Sequence, residues 1–312
     1  MSTIGFEASP ELLTEPEGSP DAAARVEVAP NRRLGFGGWF AIIWLALVLI
    51  GAVLGTLLPG IHGYRTVFLD DTSTKPFTHG HLLGVDDVGH DEFSNLVLGA
   101  RTSLEIGLGS VLAGILIGGT LGLIAGYFRG TIDLIISTVF DVLLAVPALI
   151  LALALTAFLR GDPTKSHLPA EIVLIIALGT VSTPVLGRIT RASTLTWSQR
   201  EFVMAARAQG AKNARIMVRE VLPNVIPAML SIALLAIGVV IVAEGGLSFL
   251  GVGVDPTVKP SWGNLIASSA SVLNTEPWLV FGPIVALFLT VLSLNFLGDV
   301  VQARFNVRES AV

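Results

Sequence analysis

Apolar residues in this chain gather into runs of about 20, the length a helix needs to cross the hydrocarbon core of a bilayer, and polar segments divide the runs. The runs predict six spanning helices, at about Gly38–Leu58, Thr102–Tyr127, Ile132–Leu159, Ala170–Leu186, Val225–Leu247 and Trp278–Leu297. The fold class that follows is an all-α, polytopic membrane protein. Its expected parts are a polar tail over 1–33, a first span within 34–60, an outer segment over 61–101, a core of five spans over 102–299 and a short tail over 300–312. The N-terminal tail is rich in Glu, Pro, Ala and Ser, a composition that buries too little apolar surface to fold, so it is expected to be disordered.

Composition agrees with the pattern. Of 312 residues 52% are hydrophobic and only 14% charged, against roughly 25% charged in a soluble domain. Cysteine is absent, which excludes disulfides, thiolate metal sites and a cysteine nucleophile. The acidic first 30 residues lack the basic flank of a cleavable signal peptide. The net charge of −5 says little, because charge is segregated by side of the membrane. With both termini inside, the cytoplasmic segments hold 13 of the 19 basic residues: Arg25, Arg32, Arg33, Arg129, Arg188, Arg191, Arg200, Arg207, Lys212, Arg215, Arg219, Arg304 and Arg308. The outer segments hold Arg65, Lys75, Arg101, Arg160, Lys165 and Lys259. The positive-inside rule then predicts cytoplasmic N and C termini.

A basic, polar segment over 188–223 separates the fourth and fifth runs. Within it, Ser198 and Glu201 are spaced as a capping box, Ser198 as N-cap and Glu201 reaching back. The short helix that follows places Phe202, Ala205, Ala206 and Gln209 on one face. Gly210 supplies the stop, since glycine enters the left-handed region without steric cost. A second short helix is expected over Ala211–Val221, with Pro223 and Pro227 marking entry to the next span. A flat alanine face of this size suits a groove on another protein, with Arg200, Arg207, Arg215 and Arg219 set to meet carboxylates on its rim. The alternative is an ordinary cytoplasmic loop.

Several spans carry candidate chemistry. Gly114, Gly118, Gly122 and Gly126 recur every four residues on one face of the second span, a device for close helix packing in lipid. Whether that face meets a helix of this chain or of another is open at this stage. Asp133 begins the third span, and Asp141 lies roughly 12 Å deeper, before a kink expected at Pro147. An ionisable group at that depth is a candidate for a pathway, gating or proton-relay role, or caps backbone at the kink; Glu244 in the fifth span has the same two readings. Trp262 and Trp278, in the outer segment over 247–277, are read as interfacial anchors, with substrate stacking at Trp262 the alternative. The first outer segment holds His79, His81, Asp86, Asp87, His90, Asp91 and Glu92. A divalent-cation site is the alternative, but their spacing matches no familiar ligand set, so they are read as solvated and helix-capping groups and no metal is expected.

These residues carry a resemblance. Ala205-Ala206, three residues, Gly210, then Leu222-Pro223 resembles the signature of ATP-binding-cassette (ABC) importer permeases: Glu-Ala-Ala, three residues, Gly, nine residues, Ile-x-Leu-Pro. Met204 stands in the Glu slot and Glu220 in the Ile slot. The form Phe202-Val203-x-Ala205-Ala206-Arg207-Ala208-x-Gly210-Ala211 is similar to that of oligopeptide and dipeptide permeases, a family that also includes nickel permeases. Gly99-Ala100-Arg101-x-Ser103-Leu104, Gly126-Tyr127-x-x-Gly130-x-x-Asp133, Asp141 to Pro147, Ser248-Phe249-Leu250-Gly251-x-Gly253 and Pro260-x-Trp262-Gly263 agree with it.

The resemblance implies a type I ABC importer permease fold and the C-type permease subunit of a peptide importer in a bacterial cytoplasmic membrane. Glu201, Phe202, Ala205, Ala206, Arg207, Gly210, Leu222 and Pro223 would form the coupling region that docks into an ATPase subunit. The implied partners are a second, B-type permease subunit, two cytoplasmic ATPase subunits, an extracytoplasmic binding protein and a peptide cargo; no nucleic acid is expected. No G-x-x-x-x-G-K-S/T occurs, so ATP and Mg would sit on the partner ATPases, with no cofactor on this chain and no enzyme activity of its own. The alternatives are the same machinery importing nickel or another small solute, a proton-coupled secondary transporter using Asp141 and Glu244, and a membrane scaffold without transport.

Overall fold

The computed structural model describes residues 35–161, 168–256 and 258–309. The expected disorder of 1–33, with Arg25, Arg32 and Arg33, and the placing of Lys165 fall outside the described residues. Eleven α-helices are present among those described: α1 Phe36–Leu54, α2 Glu92–Gly114, α3 Thr120–Phe128, α4 Gly130–Ala145, α5 Ala148–Arg160, α6 Ala170–Trp197, α7 Glu201–Ala208, α8 Asn213–Ile216, α9 Leu222–Phe249, α10 Trp262–Ser269 and α11 Pro277–Glu309. A π turn over Ile115–Gly119 joins α2 to α3, and another over Met217–Val221 joins α8 to α9. Among the described residues five helical stretches are long and apolar enough to cross a membrane, or six if the bent pair α4–α5 is one span.

The spans stand where the apolar runs predict, but four run past them, the last as far as Glu309 in α11. The second is a 37-residue rod from Glu92 to Phe128, ten residues longer at its outer end than predicted. Asp91 starts it by accepting from the Ser94 amide at 2.9 Å, satisfying a first-turn donor. The fourth runs on to Trp197 rather than ending at Leu186, because Arg188 and Arg191 are neutralised by Asp141 and Asp133 of α4. The fifth is helical from Asn213; Pro223 follows directly on the π turn over Met217–Val221, and Pro227 lies within the helix rather than bounding it. The expected second short helix over Ala211–Val221 is therefore the inner end of the fifth span. At Pro147 the third span breaks outright, with a bend of 91° between α4 and α5.

Helix α6 is the hub, packing against α2, α3, α4, α5 and α9. The four glycines face it. A Cβ built on Gly118 or Gly122 collides with the Thr183 or Gly187 carbonyl of α6, and one on Gly126 comes 2.7 Å from the Arg191 carbonyl oxygen. The small-residue face is thus spent inside this chain, letting two backbones touch. The first span lies outermost, joined to α11 by Trp44 Nε1 donating to Thr290 Oγ1 at 3.0 Å.

The end of the bundle that carries α10 closes as a buried polar network. Ser261 caps α10 in a reciprocal box with Asn264. Trp262 is 1% exposed; its amide donates to Ser103 Oγ at 3.0 Å and its indole to the Leu96 carbonyl at 2.9 Å. Neither interfacial anchoring nor substrate stacking fits that burial: the ring is a peg between α10 and α2. Trp278 is half-buried. Glu244 is fully buried, its Oε1 accepting from Ser248 and Ser261 at 2.9 Å each. At the same end Lys259 pairs with Glu171 at 2.7 Å, a hydrogen bond that holds the lysine above its ordinary pKa.

Candidate functional site

At the end of the molecule opposite α10, the chain leaves the bundle after Trp197 and returns at Asn213, and α7 fills the gap. The turn into α7 differs from the capping box expected at Ser198 and Glu201. Ser198 ends α6, its hydroxyl donating back to the Leu195 carbonyl at 3.2 Å. Arg200 is the N-cap, extended at φ −72°, with no side-chain bond to α7. The longer α6 uses up the serine that would have started the next helix. The far end is as expected. Gly210 sits at φ +79°, its amide donates to Arg207 and that of Ala211 donates to Ala206. These are the two bonds of a Schellman stop, which glycine makes without strain.

Helix α7 has an inner and an outer side. Val203 is fully buried with Leu123, Tyr127, Ile216, Val221 and Val225, and Ala206 packs against that cluster. The Arg207 guanidinium lies 5.4 Å over the Tyr127 ring, and Arg200 lies 5.3 Å over Trp197. Tyr127 in turn donates to Asn213 Oδ1 at 3.1 Å, tying the C-terminal end of the loop to α3. Glu201, Phe202, Met204, Ala205, Ala208 and Gln209 face outward. The expected face of Phe202, Ala205, Ala206 and Gln209 is therefore divided: Ala206 turns half inward, because Val203 sets which side of an eight-residue helix meets the bundle. Leu222 packs on the same inner cluster and Pro223 is exposed.

The outer side is apolar in the middle and basic around it. Arg200, Arg207, Arg215 and Arg219 are exposed, and among the described residues no carboxylate pairs with any of them. A cleft of about 730 Å³ opens beside α7, lined by Tyr127, Arg129, Ser198, Met204 and Arg207 among others. Sequence reasoning quoted Val203 and Tyr127 only as parts of motifs, without a role, and missed Asn213. Tyr127 lies 86 residues from that partner, beyond the reach of any local spacing.

The membrane-buried candidates separate. Asp133 forms a two-pronged pair with Arg191, the Nη2–Oδ2 arm at 2.6 Å, and accepts from Ser137 at 3.1 Å. Asp141 pairs with Arg188, both side chains more than half exposed. Pro147 marks the break between α4 and α5. Glu244 is sealed among α9 and α10 and lies apart from all of these. In the first polar segment three histidines pair with carboxylates: His79 with Asp71, His81 with Asp91 at 2.8 Å and with Asp71 at 3.8 Å, and His90 with Asp86 at 3.2 Å. Among the described residues no three such groups are grouped to hold an ion.

The chain that folds into this glycine-packed helical bundle has known relatives. The family model for the inner membrane component of binding-protein-dependent transport systems matches residues 118–310. The chain belongs to that family. A dipeptide transport system permease protein of Alkalihalophilus pseudofirmus is 34% identical over 301 residues, covering 94% of each chain. A glutathione transport system permease protein of Pectobacterium atrosepticum is 37% identical over 70% of each. A di/tripeptide transport system permease protein of Pseudomonas aeruginosa is 38% identical over 70% of this chain and 69% of its own. Among solved structures, a methionine ABC transporter in an inward-facing conformation superposes with a TM-score of 0.56 at 19% identity, over 67% of this chain and 95% of the other. An amino acid ABC transporter with histidines gives 0.52 over 68% and 94%. The permease thus has the ABC importer permease fold and is a multi-pass membrane subunit of a transport system.

Proposed function

We propose that this permease is the C-type subunit of an ATP-driven peptide importer, forming half of the translocation path and coupling to an ATPase through α7. The peptide reading rests on relatives whose names specify dipeptides, di- and tripeptides and glutathione. The coupling reading rests on one observation above the others: α7 is pinned to the bundle on one side by Val203 and leaves Phe202, Met204 and Ala205 exposed on the other, ringed by unpaired arginines. A helix rigidly joined to α6 and α9 at its two ends passes a push from a docked motor into the spans. ATP and Mg belong to two ATPase partners, on whose acidic rim the arginines close. A second permease subunit supplies the other half of the path, and a binding protein delivers the peptide outside. On this reading α7 and both termini lie in the cytoplasm, as the distribution of basic residues requires.

The test is dipeptide uptake into proteoliposomes holding the assembled complex. Ala205→Glu places a charge on the outer face without touching the inner cluster. Uptake should fall at least tenfold while the complex purifies at normal yield. Undiminished uptake would contradict the docking role.

A further inference from the structure

The Asp141–Arg188 pair stands at a depth and an exposure that call for an explanation. Asp141 is eleven residues into α4, roughly 16 Å along its axis, and Arg188 is nine residues before the end of α6, roughly 14 Å. Both residues lie within candidate spans, Asp141 in the last turns of α4 before the break at Val146–Pro147 and Arg188 in the stretch Ala170–Trp197. Yet 60% of the Asp141 side chain and 52% of the Arg188 side chain are exposed on the surface of the chain. The neighbouring Asp133–Arg191 pair, nearer the inner end, is only 17% and 32% exposed. Charged groups within a span are not left against lipid tails; they face a partner or a water-filled path.

The backbone just beyond narrows the choice. Val146 is extended, at φ −88° and ψ 129°, and Pro147 has no N–H to offer the last turn of α4. Ala145, Val146 and Pro147 are all exposed. Irregular backbone at membrane depth occurs only inside protein or along water. Freed carbonyls, a carboxylate and a guanidinium on one open face have a common solution in water. A sealing partner would have to match every one of them.

We infer that the Asp141–Arg188 pair lies on the wall of the aqueous translocation path, where it offers a zwitterionic peptide in transit one charge of each sign. The inference rests on the importer reading and adds to it a named, charged stretch of wall. A peptide's ammonium meets Asp141 and its carboxylate meets Arg188, so the two side chains exchange their mutual contact for the cargo and regain it when the cargo leaves.

The chain has no cysteine, which makes the test direct. Asp141→Cys and Arg188→Cys are introduced singly into the assembled complex in liposomes and treated with a charged, membrane-impermeant methanethiosulfonate, which reacts only with a hydrated thiolate. Ile43→Cys and Leu47→Cys, on the exposed side of α1, serve as lipid-facing controls. The inference expects both pathway positions to label at least tenfold faster than the controls, at a rate that changes with the nucleotide state. Labelling no faster than the controls in every state would overturn it. A double variant, Asp141→Asn with Arg188→Gln, removes both charges and leaves no orphan. Dipeptide uptake should fall at least tenfold at equal yield of complex, whereas unchanged uptake would reduce the pair to a structural tie and overturn the cargo contact. Peptide uptake by the unmodified complex tests the importer reading separately: labelling without uptake in that control sinks the function and leaves the water-lined wall standing.

Discussion

Gly122 shows how far single residues set this architecture. Its hydrogen lies where a Cβ would strike the Gly187 carbonyl, and Gly118 stands in the same relation to Thr183. Gly122→Ala forces α3 and α6 apart, with an expected cost of about 1–3 kcal/mol, the usual range for overpacking a filled core. Gly37→Ala is the matched control, since its Cβ meets only the Phe296 ring at 3.5 Å, an ordinary contact. Thermal unfolding in detergent should separate the two variants clearly; equal melting temperatures would mean that α3 and α6 are not in backbone contact. Ser261 tests the outer network in the same way. Its hydroxyl caps α10 through the Asn264 amide and also donates to Glu244. Ser261→Ala should therefore lose more than the roughly 1 kcal/mol of a lone cap, because Glu244 is left with one fewer donor in a buried site. Unfolding of Ser261→Ala and Glu244→Gln beside the parent checks this, and a parental melting temperature in both would remove the network from the account.

At the scale of elements, α7 depends on how it stops. Gly210→Ala puts a side chain at φ +79°, a conformation costing roughly 1–2 kcal/mol in an L-residue. The spans carry the global fold, so the expected result is normal yield and melting with weakened coupling of ATP hydrolysis to uptake; full coupling in this variant would mean that α7 need not hold its shape. The spans themselves were legible in the sequence because lipid imposes length and apolarity on every one of them, and the Gly210 stop was legible because one residue type fits that geometry. The ends of α6 and α9 were not. Arg188 and Arg191 read as loop residues until Asp141 and Asp133 are seen beside them, and such pairing across helices leaves no trace in local composition. Trp262 misled for a related reason: a tryptophan in an outer segment suits an interface, and only the distant Ser103 and Leu96 partners reveal that it is buried. The inward turn of Ala206 was hidden too, since periodicity gives the faces of a helix but not which one meets the bundle.

For the whole molecule, the account describes a bundle without a motor. Its spans are locked together by α6, opened at mid-depth by the α4–α5 break, and joined at one end to a small exposed helix. Docked ATPases bias such a bundle between inward- and outward-open forms only if their contacts with α7 differ in the two states. The contact of α7 with an ATPase is thus the claim on which the rest depends. The most direct measurement is thiol labelling of Ala205→Cys in this cysteine-free chain, made on the permease pair alone and again after the ATPase subunits are added. The account predicts ready labelling of the pair and at least tenfold slower labelling of the full complex. Equal rates in the two preparations would contradict it.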